Sequence, residues 1–236
     1  LRPPLVSEDA MPPSFSRKVN MNLHITSYCQ IHDKKVVVND RFIFYMENFL
    51  NFADFLKAVY KQEAISYPKF FKMDSLSKLG FLATELVLRE KPIGRYCSEE
   101  VGIVLSNASA SLDTDIIHND SVKDKSHYFP SPSVFVYTLP NIVIGEICIK
   151  NKIKGENAFL VSEFFDGTLF ENYVQNLFIN EGTAACICGW VELLGNNYNA
   201  LSMLIEREEN MEKTGNQPPW NLPFTAENLN QLIIRN

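Results

Sequence analysis

From residue 22 onward, apolar positions recur with a period of two in some stretches and near 3.6 in others, and the switch between them marks the elements. Asn22-Leu-His-Ile-Thr-Ser-Tyr-Cys opens a strand over about 22–31, and Lys35-Val-Val-Val-Asn39 is placed to pair with it. Phe52, Phe55, Leu56 and Val59 fall at helical spacing and predict an amphipathic helix over 49–60, before Tyr67-Pro68 breaks the pattern. Leu76, Leu79, Ala83, Leu86 and Val87 share one face of a stronger helix over 75–90, with Asp74 or Ser75 as its N-cap. Residues 101–106 (VGIVLS) read as a buried strand, and the polar stretch 107–131 as a long loop with a helical part. Within 138–149 helix and strand signals mix, and Pro140 suits the first turn of a helix that Asn141 to Ile149 continues. Lys154-Gly-Glu-Asn157 is a turn before a short buried strand, 158–162. Thr168-x-x-Glu171 has the capping-box pattern at the head of a helix over 168–180, whose apolar face is Leu169, Phe170, Tyr173, Leu177 and Phe178. Residues 183–194 (TAACICGWVELL) read as a central strand. The tail predicts a helix around 198–209, a Pro-Pro-Trp loop at 218–220 and a last helix from Thr225 to Ile234.

Strands alternating with helices predict a layered α/β fold, α/β/α, with a mixed but largely parallel sheet. Residues 1–20 hold four of the twelve prolines and read as a flexible or surface-draped arm without the apolar segment of a secretory signal, leaving 21–236 as a single domain. Hydrophobic residues make up 46% and charged residues 21% of the 236, which excludes a disordered chain, a collagen and a coiled coil. No apolar run reaches the length of a membrane span. The net charge of −6 argues against a nucleic-acid partner, because phosphate contacts need a basic face.

Four of the five cysteines (Cys29, Cys97, Cys148, Cys186, Cys188) sit in apolar, strand-like settings, which predicts reduced thiols in a cytoplasmic protein. Cys186-Ile-Cys188 lacks the C-x-x-C spacing of zinc or redox sites, and His24, His32, His118 and His127 show no paired-ligand spacing. No metal and no cofactor are expected, and His118 and His127 are expected in solvent.

Four segments, in order, resemble the N-terminal half of the β-ketoacyl synthases of the thiolase-like superfamily. Tyr67-Pro-Lys-Phe-Phe-Lys-Met-Asp-Ser-Leu-Ser-Lys-Leu-Gly80 is similar to the family's "R-R-M-D-R-L-S-R-L" segment. Val101-Gly-Ile-Val-Leu-Ser-Asn-Ala-Ser-Ala-Ser-Leu-Asp-Thr-Asp115 resembles its "VGVVLGTGxGGLxTD" strand and turn. Ser131 to Cys148, with Tyr137-Thr-Leu-Pro-Asn and Ile144-Gly-Glu-Ile-Cys-Ile, is similar to its "SPxxFxxTLPNxxAGEIAI" helix. Lys154-Gly-Glu-Asn157 resembles the "KGPN" turn that leads to the nucleophile strand. Together these cover roughly residues 67–195.

In active members that turn leads to T-A-C-x-x-G. Counted from Gly155, the cysteine slot falls at Phe164, or at Phe165 with a one-residue shift, and the following glycine at Gly167. The resemblance therefore implies a degenerate nucleophile slot, since the chemistry needs a thiolate at a helix N-terminus and phenylalanine has no lone pair. The two histidines that complete the family's Cys-His-His constellation come from a second half, and nothing after Gly195 resembles a histidine motif. Phe164-Phe165 reads either as a plug in the acyl pocket or as plain core packing. Glu163 and Asp166 read either as an acid–base pair or as caps that favour the helix dipole. Ser106-Asn-Ala-Ser-Ala-Ser111 lacks the glycines of a phosphate loop and reads as a turn, and Ser162 lacks a nucleophile elbow.

The resemblance implies a non-catalytic, chain-length-factor-like accessory subunit of fatty-acid, polyketide or aryl-polyene assembly. It would form a homodimer, or a heterodimer with a full-length ketosynthase, through the strand near 158–162. An acyl carrier protein is a further candidate partner, weakened by the acidic charge, against which Lys69, Lys72 and Lys78 offer only a small patch. The alternative is an acyl-thioester enzyme of changed chemistry, a thioesterase or decarboxylase using Glu163 or Asp166. A half-length chain also leaves an apolar face to cover, either by another chain or by a tail anchored through Trp220 and Phe224.

Overall fold

The computed structural model describes residues 22–48, 51–124, 126, 128–211 and 220–234; the N-terminal arm, His127 and the two prolines before Trp220 lie outside them. The described chain runs β1 (Leu23–His32), β2 (Lys35–Val38), β3 (Arg41–Tyr45), α1 (Phe52–Gln62), α2 (Ser75–Glu90), β4 (Val101–Asn107), α3 (Leu112–Val122), α4 (Pro132–Val136), α5 (Ile142–Asn151), β5 (Asn157–Val161), α6 (Gly167–Asn180), β6 (Ala185–Leu194), β7 (Asn197–Arg207), β8 (Leu222–Pro223) and α7 (Ala226–Ile234). One mixed sheet has the order β3-β2-β1-β7-β6-β4-β5, with β8 added on β1. None of the described helices is long and apolar enough to cross a membrane.

The α/β layering is as expected, but the balance within the sheet is not. Only β4 with β5 and β4 with β6 pair in parallel; the β1–β2, β1–β7, β1–β8, β2–β3 and β6–β7 pairs are antiparallel. The main cause is β7. The helix expected around 198–209 is instead an eleven-residue strand, turned back on β6 and buried from Ala200 to Glu206. A long apolar run buried on both faces carries no period that separates strand from helix. The third strand, β3, follows the turn at Asn39 and Asp40, both in the left-handed region, where Asn and Asp are the favoured non-glycine residues.

Helix α2 spans the expected 75–90, with Asp74 as its cap, accepting from Ser77 N at 2.9 Å. Helix α1 starts three residues later than expected because Asn51 caps it, accepting from Asp54 N at 3.0 Å. Helices α1, α2 and α5 cover one face of the sheet, where Phe55, Leu56, Leu79, Leu82 and Leu86 meet Ile31, Ile103, Ile187 and Leu204. Helices α6 and α7 cover the other, where Phe170, Val174, Phe178, Leu229 and Leu232 meet Val104, Cys186, Cys188, Met203 and Ile205. The tail therefore folds back as the cover. Phe224 is buried, and the Trp220 ring lies 4.8 Å from that of Tyr28 and donates from Nε1 to Asp40 at 2.6 Å.

Gly155 carries the turn before β5: a Cβ there would stand 2.4 Å from the Val101 carbonyl oxygen and 2.7 Å from that of Glu99. The strand that follows is an edge, not the buried strand expected, and Val161 at its end is 58% exposed. Within the long polar stretch, α3 places His118 half-buried against Phe135, with ring centroids 5.5 Å apart, rather than in solvent.

Glu206 is fully buried in β7 and accepts from Thr26 Oγ1 at 2.5 Å, from Tyr96 OH at 2.6 Å and from the Arg95 guanidinium. Burial, then the hydrogen bond to Glu206, pushes the Tyr96 hydroxyl from its ordinary 10.0 up to about 12. A folded-state value raised in this way gives stability that is complete below about pH 10 and lost as pH approaches 12. Urea titrations across that window should show wild-type stability falling, and Tyr96→Phe should flatten the fall; an equally steep loss in the variant would refute the assignment.

Candidate functional site

The parallel strands β4 and β5 end together, and the chain turns from β5 into α6 over Ser162–Asp166. Ser162 N donates to the Asn107 carbonyl at 3.0 Å, which extends the ladder by one residue. Ser162 Oγ donates to the Phe164 carbonyl at 3.0 Å, so this hydroxyl holds the corner together. Asp166 then caps α6, its Oδ1 accepting from Thr168 N at 2.9 Å and from Leu169 N at 3.1 Å.

An α-helix leaves its first four N–H groups without helical partners, which is what makes its tip attract anions. Here the tip is closed by the protein itself. Thr168 and Leu169 bind the Asp166 carboxylate and Gly167 N donates to Asn230 Oδ1 of α7 at 3.2 Å, while Phe170 N makes the first helical bond, to the Asp166 carbonyl at 3.1 Å. The capping box expected at Thr168 does not form. Asp166 precedes it with a better acceptor, and Glu171 instead accepts from Ala226 N at 2.8 Å, which joins α6 to α7. Gly167 is glycine for that junction: a Cβ would lie 2.7 Å from both the Ala226 carbonyl oxygen and Asn230 Oδ1.

The two phenylalanines at the slot part company. Phe164 is 65% exposed, and so is neither an internal plug nor core. Phe165 packs on the inner side, stacked on Phe170 at 5.1 Å and edge-on to Trp190 at 6.2 Å. Glu163 is exposed, and Asp166 is committed to the cap. Ser106 is buried between Leu160 and Trp190 in the register of β4, and its Oγ has no partner among the described residues.

The segment after β4 is the turn expected, not a phosphate loop. Its amides are already bound: Glu192 Oε2 accepts from Ala108 N at 2.7 Å and from Ser109 N at 3.2 Å. Glu192 was not singled out from the sequence. The signal available was one carboxylate, in step with Cys188 and Trp190, near the end of an otherwise apolar strand.

The five cysteines lie away from this corner, four of them in β1, α5 and β6. Cys29, Cys186 and Cys188 are fully buried, and burial raises all three thiols well above the ordinary cysteine range; Cys148 is pushed up to about 11 for the same reason. Cys97 is exposed beside a short 3-10 turn. Among the described residues no group of three or more His, Cys, Asp or Glu side chains is placed to hold a metal ion.

Three of the segments that carry the resemblance meet one another. Asp74 of the first segment accepts from Thr114 Oγ1 of the second at 2.8 Å. Ser111 Oγ of the second donates to the Thr138 carbonyl of the third at 2.8 Å. Glu146 of the third is buried and accepts from Tyr137 OH at 3.0 Å and from Lys69 Nζ of the first at 2.9 Å, with Tyr67 OH at 3.5 Å. Burial raises Asp74 above the usual carboxylate range, and burial with the charge of Glu146 raises Tyr137.

A thiol placed in the slot should behave as an ordinary one. In F164C, alkylation at position 164, followed by peptide mapping, should titrate near about pH 8.5. In F164C/D166A, which frees two tip amides, the midpoint should drop by about half a unit to one unit. A midpoint near neutrality in the single variant would show that the tip is not closed.

No known family profile matches the chain, and no curated protein matches it. Solved structures do. The ishigamide ketosynthase/chain length factor superposes with a TM-score of 0.60 at 16% identity, over 84% of this chain and 64% of that one. The AntDE:AntF complex, a type II PKS acyl-carrier protein with its ketosynthase, gives 0.59 at 13% identity, over 80% and 63%. The ketosynthase ApeO in complex with its chain length factor ApeC from Xenorhabdus doucetiae gives 0.51 at 15% identity, over 91% of each chain. The chain thus spans under two thirds of the first two and most of the third. It has the fold of the ketosynthases and chain length factors, a thiolase-like α/β layering built here around a corner that carries phenylalanine where the resemblance implies cysteine.

Proposed function

We propose that this chain is a non-catalytic, ketosynthase-like accessory subunit that works by association, pairing with a full-length ketosynthase in fatty-acid, polyketide or aryl-polyene assembly. The observation that carries the reading is the closed tip of α6. The amides of Gly167, Thr168 and Leu169 are bound by Asn230 and Asp166, and the slot beside them holds an exposed phenyl ring. That corner offers neither a nucleophile nor free donors to stabilise an oxyanion. The alternative carboxylate chemistry loses Asp166 to its capping role.

Association is favoured by what the same corner leaves open. Strand β5 is the last strand of the sheet on its side among the described residues, so one row of its backbone groups faces outward. Val161 at its end, Phe164 beyond it, Ile149 on the helix packed against it and Leu169 on α6 are all exposed. An incoming strand would satisfy the backbone row while these side chains are buried. The solved neighbours include ketosynthases joined to chain length factors and to a carrier protein, which supports a ketosynthase as partner. The net charge of −6 weakens direct docking of an acidic carrier on this subunit.

Mixed with a ketosynthase from its own cell, the chain should form a 1:1 complex by light scattering after size exclusion. Val161→Glu should weaken it by about tenfold or more without loss of thermal stability, since the site is exposed. The chain alone, incubated with malonyl- and acyl-carrier substrates, should show no adduct and no turnover by mass spectrometry. A covalent acyl adduct on the isolated chain, or a complex indifferent to Val161→Glu, would overturn the proposal.

A further inference from the structure

A broad apolar surface lies in water on α3 and on the segment that runs through α4. Thr114 is the only buried residue of α3, and Leu112, Ile116 and Ile117 are exposed. Phe129, 80% exposed, with Phe135 and Leu139, extends this surface. Three contacts hold the two segments side by side. Ser111 Oγ donates to the Thr138 carbonyl at 2.8 Å, the His118 ring packs on Phe135, and Phe129 N donates to the Ser121 carbonyl at 3.4 Å. The six apolar residues expose roughly 700 Å², more than the roughly 300–600 Å² of the largest apolar patch on an ordinary monomer.

The face continues the border of β5. Ser162 N, at the end of that border, donates to the Asn107 carbonyl. The Asn107 side chain closes the turn into α3, accepting from Ala110 N and donating to the Ala110 carbonyl, both at 2.9 Å. With Val161 and Phe164, the apolar area open to one partner is roughly 900 Å², against the roughly 800 Å² that each side of a stable protein interface buries.

Charge narrows the partner. Between 112 and 139 four aspartates stand against two lysines. Lys123 pairs with Asp120 at 2.6 Å. Asp113 and Asp115 accept from uncharged donors, Gly195 N at 2.9 Å and Ser111 Oγ at 3.2 Å, and make no ion pair among the described residues. A second copy on this face would bring the same aspartates to the same joint, where like charges repel. An anionic lipid surface meets the same opposition. A protein with lysine or arginine around an apolar centre suits both the area and the charge.

On the reading that this chain pairs with a ketosynthase, we propose that the α3–α4 face is the larger part of the joint, and that the ketosynthase meets it with an apolar surface rimmed by basic side chains. The aspartates direct the pairing to a different protein and away from a second copy.

Sedimentation and binding kinetics on the full chain, with a ketosynthase from its own cell, test this. The chain alone should sediment as a monomer. Ile117→Glu and Phe129→Glu should each weaken the complex by about tenfold or more with thermal stability kept, since both sites are exposed. Asp113→Asn combined with Asp115→Asn keeps the hydrogen-bond acceptors; it should slow association by about threefold or more at low salt and flatten its fall with added salt. Affinity unchanged in both glutamate variants while Val161→Glu weakens it would overturn this surface and leave the association reading standing. Absence of any complex would overturn both, and an association rate indifferent to the two asparagines would overturn the basic rim. A wild-type dimer dissolved by Ile117→Glu would put a second copy on the face, and binding to phosphatidylcholine vesicles lost in that variant would put a lipid surface there; either result overturns the proposal.

Discussion

A sheet with apolar residues on both sides has to be covered on both sides, and here the second cover is the constraint on which the rest depends. Val104, Cys186, Cys188, Met203 and Ile205 lie on the face away from α2, and α6 together with the chain's own tail helix shields them. The tail helix docks by two specific bonds, Glu171 to Ala226 N and Asn230 to Gly167 N, and the second of these takes one of the amides at the head of α6. Covering the core and closing the helix tip are thus one structural event. The corner between β5 and α6 holds the tail.

The segments that carry the likeness to ketosynthases are held by contacts of their own. Asp74 with Thr114, Ser111 with the Thr138 carbonyl, and Lys69, Tyr67 and Tyr137 around Glu146 bind the recognisable segments to one another at 2.8–3.5 Å. Leaving Glu146 buried without these partners would cost several kcal/mol, roughly 3–5 for an orphaned buried charge. The segments therefore encode a frame between α2, α3 and α5.

How much of this was legible follows from the physics of each element. Helix α2 was readable to the residue because its stripe is long and its cap is an aspartate. Strand β7 was misread because continuous apolar residues have no period. The cap of α6 was displaced by two residues because Thr168-x-x-Glu171 imitates a capping box, while Glu171 answers to an amide fifty-five positions away. That partner, like Asn230 at Gly167 and Glu192 at Ala108, is a long-range contact that no local pattern reports. Counting from the Gly155 turn led to Phe164 as the slot that the resemblance implies; that its ring faces outward needed the fold.

Strand β5 reads Asn-Ala-Phe-Leu-Val and contains none of the lysines, prolines or bulges by which natural sheets blunt an open border. Left bare in a crowded solution, such a border is a template on which like strands stack on like.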